Sequence, residues 1–305
     1  MRRIFSLGKP PGRLVFKGGT SLSKVYGAIE RFSEDVDLAF ERADSGFTGD
    51  NDPATASSRK QRQRALKDLK ATCGDLVGGT LRTQLVDLFS TSLRDDGGTW
   101  SFELDEADPL TLNFAYPRIA EDESVTAYVK PAVRLEFGAR SDHWPAEDAE
   151  VMPYVAEVFP SEVPDSRSTV RVLSGARTFW EKATILHQWC HAPEDRRFPD
   201  RQSRHFYDLA CLAEHELGTK ALADVALLER VAIHKEVFFE ARWARYDLAR
   251  PGSLKLVPGA GRLPALEEDY AKMGEMIFGD VPSMQRILET LRSLEERING
   301  SSSSH

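Results

Sequence analysis

The stretch FKGGTSLSKVYGAIERFSEDVDL, residues Phe16–Leu38, determines how the fold is interpreted. Residues 14–19 combine apolar and β-branched side chains with two closing glycines, a pattern typical of a short buried strand that ends in a turn. Residues 21–32 follow with apolar side chains at helical spacing, Leu22, Val25, Tyr26 and Ile29. Residues 35–40 then alternate acidic with apolar side chains, as in a strand with two different faces. Strand, helix and strand over so few residues predict a compact α/β unit.

The turn between the first strand and the helix has the composition of a phosphate-binding loop. Gly18 and Gly19 let the backbone approach a ligand, and the N-terminus of the following helix favours negative charge. The hydroxyls of Thr20 and Ser21 add two donors. The sequence matches neither of the common glycine-rich nucleotide motifs, so an ordinary tight turn stays an open alternative.

Three carboxylates are candidates for metal binding. Asp35 and Asp37 lie two residues apart on a strand, so they project from one face and can share Mg²⁺ ions. Glu136 lies on the polar face of the later alternating run VRLEFGAR and can complete a metal site or accept a proton. An exposed acidic strand is the alternative, but the apolar neighbours Val36 and Leu38 favour a partly buried strand, where unpaired carboxylates are costly.

Composition bounds the class of protein. The chain has 305 residues, 41% of them hydrophobic and 29% charged, which predicts a soluble globular protein of about two domains. No long apolar run and no signal peptide are visible, which argues against membrane association. Three unpaired cysteines fit a reducing, cytoplasmic compartment. A net charge of -8 argues against broad non-specific binding of nucleic acid, although local basic patches are compatible with it.

The rest of the pattern predicts two domains. A basic helix is expected at 59–70 and strands at 100–104, 110–114 and 128–137, within a first α/β domain over residues 1–150. Residues 141–168 are rich in Pro, Asp, Glu and Ser and are predicted to contain the domain junction. A mainly helical domain is predicted over 151–300, with a disordered tail at 301–305. Its helices are expected after an N-cap at Ser174 and at 202–217, 223–240, 264–278 and 282–298.

The first stretch resembles one nucleotidyltransferase family. GGTS, a helix, SEDVDL and a downstream carboxylate strand resemble the DNA polymerase β superfamily, and the whole stretch is similar to the AbiEii/AbiGii toxins, which include MenT-type toxins of type IV toxin–antitoxin systems. Two later segments agree, RTFWEKATILH at 177–187 and SRHFYDLACL at 203–212. The resemblance implies an α/β (α+β) fold with a mixed sheet, followed by a mainly helical domain that completes the nucleotide cleft.

The resemblance also implies roles for particular residues. It assigns the nucleotide phosphates to Gly18, Gly19, Thr20 and Ser21, and two Mg²⁺ ions to Asp35 and Asp37, with Glu136 as the third carboxylate. Lys182 is expected to reach the triphosphate, and Asp208 to order the far side of the cleft. Spacing alone supports neither of these last two roles, since a helical lysine or aspartate is usually solvated.

The implied activity is toxic nucleotidyl transfer. The enzyme is expected to move a nucleoside monophosphate from an NTP to an RNA acceptor, with the 3′ end of tRNA as the leading candidate, and to block translation and growth. A cognate antitoxin is the expected partner. Phosphorylation of Ser21 or Ser33, which flank the proposed sites, is one means of inhibition, because it adds about -1.5 to -2 charges.

Two alternatives remain open at the level of sequence. The same chemistry can nucleotidylate a protein or a small-molecule hydroxyl, and a degenerate transferase fold can serve as a binding module, although a binding module has no need of paired metal ligands. Among other residues, His187, Cys190 and His191 lie close together but match no zinc motif. Two segments can contact RNA through basic and aromatic side chains: His234 and Lys235 with 242–250, and the cluster Arg196, Arg197, Arg201, Arg204 and His205.

Overall fold

The computed structural model of the chain describes residues 1–7, 10, 12–33, 35–93, 99–116, 132–163 and 166–300. The chain forms two compact units. The first contains Met1–Val25 and Ser33–Leu173, and the second contains Tyr26–Phe32 and the chain from Ser174 onward. The segment Tyr26–Phe32 therefore belongs to the second unit, although it lies within the stretch that carries GGTS and DVD.

A seven-stranded mixed sheet is the centre of the first unit, in the order β3-β4-β5-β2-β1-β7-β6. The pairs β2–β5 and β1–β7 are parallel and the other neighbours are antiparallel. The strands are β1 Leu14–Lys17, β2 Asp35–Phe40, β3 Ser101–Leu104, β4 Thr111–Ala115, β5 Ala132–Gly138, β6 Ala146–Val151 and β7 Ser168–Leu173. The predicted fold class is confirmed. Of the strand predicted at 128–137, residues 128–131 lie outside the described part of the chain.

The central strands are buried on one face and polar on the other. Leu38 of β2 pairs in register with Phe16 of β1 and Phe137 of β5, and all three side chains are buried. Phe40 stacks on Phe137 with ring centroids 5.5 Å apart. Because side chains alternate along a strand, burial of Leu38 and Phe40 places Asp35 and Asp37 together on the opposite face.

Helices of the first unit pack around this sheet. They are α1 Arg2–Phe5, α2 Gly18–Lys24, α3 Arg59–Leu76, α4 Arg82–Ser92 and α5 Tyr154–Val158. The helix predicted to continue to residue 32 ends after α2, and Gly27 further along has a φ of +57°, which is incompatible with a continuing right-handed helix. The basic helix is longer than predicted, because α3 continues through a π-helical turn at Val77–Leu81 into α4.

The stretch 141–168, predicted as a junction, contains regular structure instead. Strand β6 pairs with β7 along its whole length, and α5 follows it. Glu147, Asp148 and Glu150 of β6 are exposed. A strand at the edge of a sheet with an exposed polar face has the composition of a linker, which is why the pattern did not reveal it.

The second unit is mainly helical, as predicted. Its helices are α6 Gly175–Cys190, α7 Ser203–Glu214, α8 Glu216–Ala223, α9 Ala226–Phe238, α10 Leu263–Met273 and α11 Met284–Gly300. Ser174 occupies the N-cap position of α6, but its side chain makes no capping hydrogen bond. Long apolar faces build the core of this unit around Trp180, Phe206 and Leu291. The predicted tail at 301–305 lies outside the described residues.

Candidate functional site

In the first unit, the predicted carboxylates lie on one face of two neighbouring parallel strands. Asp35 pairs in register with Arg134, and Asp37 pairs with Glu136. Residues in register on adjacent strands point to the same side, so β2 and β5 present a small patch with three acidic side chains and one basic one. Burial of Leu135 and Phe137 keeps β5 in this orientation.

Two basic side chains lie among these carboxylates. The Arg134 guanidinium donates to Glu136 Oε1 over 3.0 Å, and its Nε lies 3.5 Å from Asp35 Oδ1. The Lys17 ammonium, from the neighbouring strand β1, lies 3.7 Å from Asp37 Oδ1. Both cations reduce the repulsion between the acidic groups. No sequence pattern singles out Arg134 or Lys17, although both occur within two residues of proposed site residues.

Gly18 brings the predicted phosphate loop directly against Asp37. It has a φ of +79°, and a Cβ built on it would lie 2.0 Å from Asp37 Oδ2. Glycine is thus required both for the left-handed backbone and for the space that the carboxylate occupies. Thr20 Oγ1 donates to the Asp35 carbonyl over 2.5 Å, a hydrogen bond between α2 and the start of β2. Loop and carboxylates therefore form one local structure.

The two serines proposed for phosphorylation differ in accessibility. Ser21 is fully buried, and its hydroxyl donates to the Gly18 carbonyl over 2.8 Å. Ser33 is half-buried. A kinase can therefore reach Ser21 only if the start of α2 opens, since its hydroxyl is used inside the fold. Modification at either serine remains a prediction.

The donor chemistry of this face fits Mg²⁺, which prefers carboxylate oxygens. Among the described residues, no three His, Cys, Asp or Glu side chains converge closely enough to form a metal site as they stand. Arg134 contacts both Asp35 and Glu136, so it occupies the position between them. The residue types suit Mg²⁺. For Asp35 and Glu136 to bind the same ion, Arg134 must leave at least one of them.

In the second unit, Lys182 and Asp208 form a buried ion pair. Lys182 lies on α6 and Asp208 on α7, and the ammonium donates to Asp208 Oδ2 over 2.6 Å. Asp208 is completely buried, and Lys182 is 5% exposed. A lysine ammonium has three donors. Within the described part of the chain Asp208 is its one hydrogen-bond acceptor, which leaves two donors for another group.

Arg31 is a third member of this cluster. Its Nε donates to Asp208 Oδ1 over 2.7 Å, and its Nη2 donates to Asp208 Oδ2 over 2.8 Å. No sequence pattern singles out Arg31, because an arginine in the last turn of a predicted helix is usually solvated. The apolar residues Ala28 and Ile29 just before it were the available signal, since both are buried and indicate a segment that packs against the core.

The charges of this cluster depend on one another. Burial alone disfavours the ionised form of Asp208, but Arg31 and Lys182 outweigh it and hold the pKa of this carboxyl well below its usual value. Burial lowers the pKa of Lys182, and the attraction of Asp208 opposes this. Burial also lowers the pKa of His205, with a further contribution from Lys182 and Arg204.

His187, Cys190 and His191 do not form a metal site. Both nitrogens of the His187 ring are already used, Nε2 with the Arg245 carbonyl at 2.9 Å and Nδ1 with the Lys255 amide at 3.0 Å. Since the Lys255 N–H donates to Nδ1, the ring is neutral, and burial lowers its pKa to about 4. His187 therefore stabilises the backbone around it.

The two predicted RNA-contacting segments meet in the structure. The Arg196 guanidinium lies 4.3 Å from the centroid of the Trp243 ring, so the cluster before α7 reaches the segment 242–250. Two other residues of the predicted RNA-contacting segments belong to the core of the second unit. His234 is buried and stacks on Phe238 at 4.4 Å, and Tyr246 is buried with its hydroxyl bonded to Gln188.

A mixed sheet with carboxylates on adjacent parallel strands, and a glycine loop packed against one of them, are features of a nucleotidyltransferase. Residues 1–296 match the sequence profile of the family described as nucleotidyl transferase AbiEii toxin, type IV TA system. The chain belongs to this family. Membership implies transfer of a nucleotidyl group and, for a toxin of a toxin–antitoxin system, an antitoxin partner.

Comparison with solved structures finds the nucleotidyltransferase toxin MenT4 from Mycobacterium tuberculosis H37Rv. The two share 17% sequence identity with a TM-score of 0.49, over 96% of this chain and 78% of that chain. No curated protein matches the sequence. No helix in the described part of the chain is long and apolar enough to cross a membrane.

Proposed function

We propose that this protein transfers a nucleoside monophosphate from an NTP to the 3′ end of tRNA in the cytoplasm. The contact of Gly18 with the Asp37 carboxylate carries this proposal, because it joins a phosphate-type loop to the acidic pair Asp35 and Asp37. Adding a nucleotide to the 3′ end of tRNA blocks aminoacylation and hence translation, which agrees with membership of a toxin family.

In the proposed reaction, the 3′-hydroxyl oxygen of the acceptor forms a bond to the α-phosphorus of the NTP. The bond from that phosphorus to the bridging oxygen breaks, and pyrophosphate leaves with the bonding electrons. Glu136 is proposed to accept the proton of the hydroxyl. Asp35, Asp37 and Glu136 are the residues that would hold Mg²⁺, which supplies neutralisation of phosphate charge when bound.

The remaining groups orient the nucleotide. Backbone N–H groups of the loop 18–21 are proposed to contact phosphate oxygens. The hydroxyl of Thr20 has one donor and can join them only by giving up its bond to the Asp35 carbonyl. The two remaining donors of Lys182 are proposed to bind those triphosphate oxygens that leave with pyrophosphate, as a charge-assisted contact. Arg134 and Lys17 neutralise the carboxylates when the nucleotide and its metal are absent.

One experiment tests the acceptor and the chemistry together. Purified protein is incubated with Mg²⁺, each of four labelled NTPs, and separate pools of total tRNA and of cell protein. Label at the 3′ end of tRNA, lost in the Asp37→Asn variant, is the expected result. Label on protein instead would move the proposal to a protein acceptor. No label in any pool, with NTP bound or unbound, would reject the transferase reaction for these acceptors.

A further inference from the structure

Arg31 is held rigidly by its side chain and by its backbone. The guanidinium is 3% exposed and forms a two-pronged bond with Asp208. Its backbone pairs with Ile277 in an antiparallel bridge, flanked by bonds from Phe32 N–H to the Met276 carbonyl and from Phe278 N–H to the Glu30 carbonyl. Such a segment has little freedom to move relative to the helical unit.

The fork of Arg31 determines the orientation of the Asp208 carboxylate. Nε and Nη2 of a guanidinium are coplanar, and each bonds to a different oxygen of Asp208, at 2.7 and 2.8 Å. Two parallel bonds fix the plane of the carboxylate, whereas one bond leaves it free to rotate. Oδ2, the oxygen that also accepts from Lys182, is therefore fixed in direction.

We infer that Arg31 is a positioning residue that orients the Lys182 ammonium through Asp208. This inference rests on the proposed function, in which Lys182 contacts the triphosphate. Asp208 uses one donor of Lys182, so the direction of Oδ2 sets where the other two point. A phosphate-binding group must be held within about 0.5 Å and about 10–20° of the productive geometry. Misplacement of about 1 Å can reduce a rate by about 100-fold.

If Arg31 only compensated the charge of Asp208, Arg31→Lys would leave kcat/KM for the NTP unchanged. A buried ion pair needs its cation for stability, because an unpaired buried carboxylate is strongly destabilising. Lysine at position 31 would supply that charge but not the planar fork. Arg31→Lys therefore separates charge compensation from orientation, and it is less disruptive than removal of the side chain.

The experiment is a double-mutant cycle on NTP use. We compare kcat/KM for the NTP in the wild type, Arg31→Lys, Lys182→Ala and the double variant, with thermal melting of each as a measure of folding. In the wild-type background, Arg31→Lys is expected to lower kcat/KM for the NTP by about 10-fold. In the Lys182→Ala background, the same substitution should lower it by less than about 2-fold, since coupled residues are non-additive.

Arg262→Lys is the matched control. Arg262 is also a buried arginine of the helical unit, 9% exposed, and donates to the carbonyls of Ala192, Pro193 and Arg196. Arg262→Lys should lower the melting temperature and leave kcat/KM for the NTP unchanged. Equal losses for Arg31→Lys in both backgrounds, or no loss in either, would overturn the role of Arg31 while leaving the proposed function intact. A wild type that labels no acceptor overturns both.

Discussion

Replacing Gly18 with alanine places a methyl group where the Asp37 carboxylate lies. The Cβ would be 2.0 Å from Asp37 Oδ2, and ordinary contact begins at 3.4 Å, so the carboxylate must retreat by about 1.4 Å. The backbone adds a second cost, because alanine at a φ of +79° is unfavourable by about 1–2 kcal/mol. A forced shift in a packed site adds about 1–3 kcal/mol. The total expected destabilisation is about 2–5 kcal/mol.

Activity should fall further than stability explains. A displacement of about 1.4 Å in a proposed metal ligand is expected to reduce transfer by at least about 100-fold. The assay measures incorporation of labelled NMP into tRNA under conditions where each variant is folded, as checked by circular dichroism and urea unfolding. Toxicity on induction in cells provides a second readout.

Gly46→Ala is the matched control for the backbone cost. Gly46 has a φ of +82°, and a Cβ there meets nothing within 4 Å in the described structure. This variant should lose about 1–2 kcal/mol of stability and retain transfer. If Gly18→Ala is folded and its transfer rate stays within about 3-fold of that of Gly46→Ala, the Asp37 carboxylate is not part of the reaction centre, and the reasoning is wrong.

Three further predictions concern the acidic pair, the buried Lys182 and the buried His187. Asp35→Asn and Asp37→Asn should each abolish transfer and growth inhibition, while the free energy of unfolding changes by less than about 1 kcal/mol, because relief of carboxylate repulsion offsets the loss of the ion pairs with Arg134 and Lys17; near-wild-type turnover in a folded variant contradicts the metal assignment. Lys182→Ala should weaken NTP use by at least about 10-fold, and Lys182→Arg should restore only part of it, whereas unchanged kinetics would exclude a phosphate contact. His187 should make the fold acid-sensitive: its folded pKa of about 4 lies below 6.5, so stability is complete above about pH 6.5 and falls by about 2 kcal/mol at pH 5. Urea unfolding at pH 7.5 and 5 should show this loss in the wild type and a smaller one in His187→Gln; equal losses would contradict it.

Local sequence pattern was sufficient to predict a strand where polar and apolar residues alternate regularly. The strand at Asp35–Phe40 was predicted with its bounds, and the orientation of Asp35 and Asp37 followed from a period of two. The helical character of the second unit was also evident, since α6 and α7 carry long apolar faces. Edge strand β6 was missed because its exposed charges look like a linker.

The sequence by itself determined which residue types could serve a nucleotidyl transfer: a glycine loop, an acidic strand and a later carboxylate. Only the tertiary structure decided what each of them contacts. Arg31 and Asp208 are 177 residues apart, and Gly18 touches the carboxylate of Asp37 across a strand pairing. Such contacts depend on sheet register and helix packing, which arise from the burial of many distant side chains together and leave no local pattern around the residues that they join.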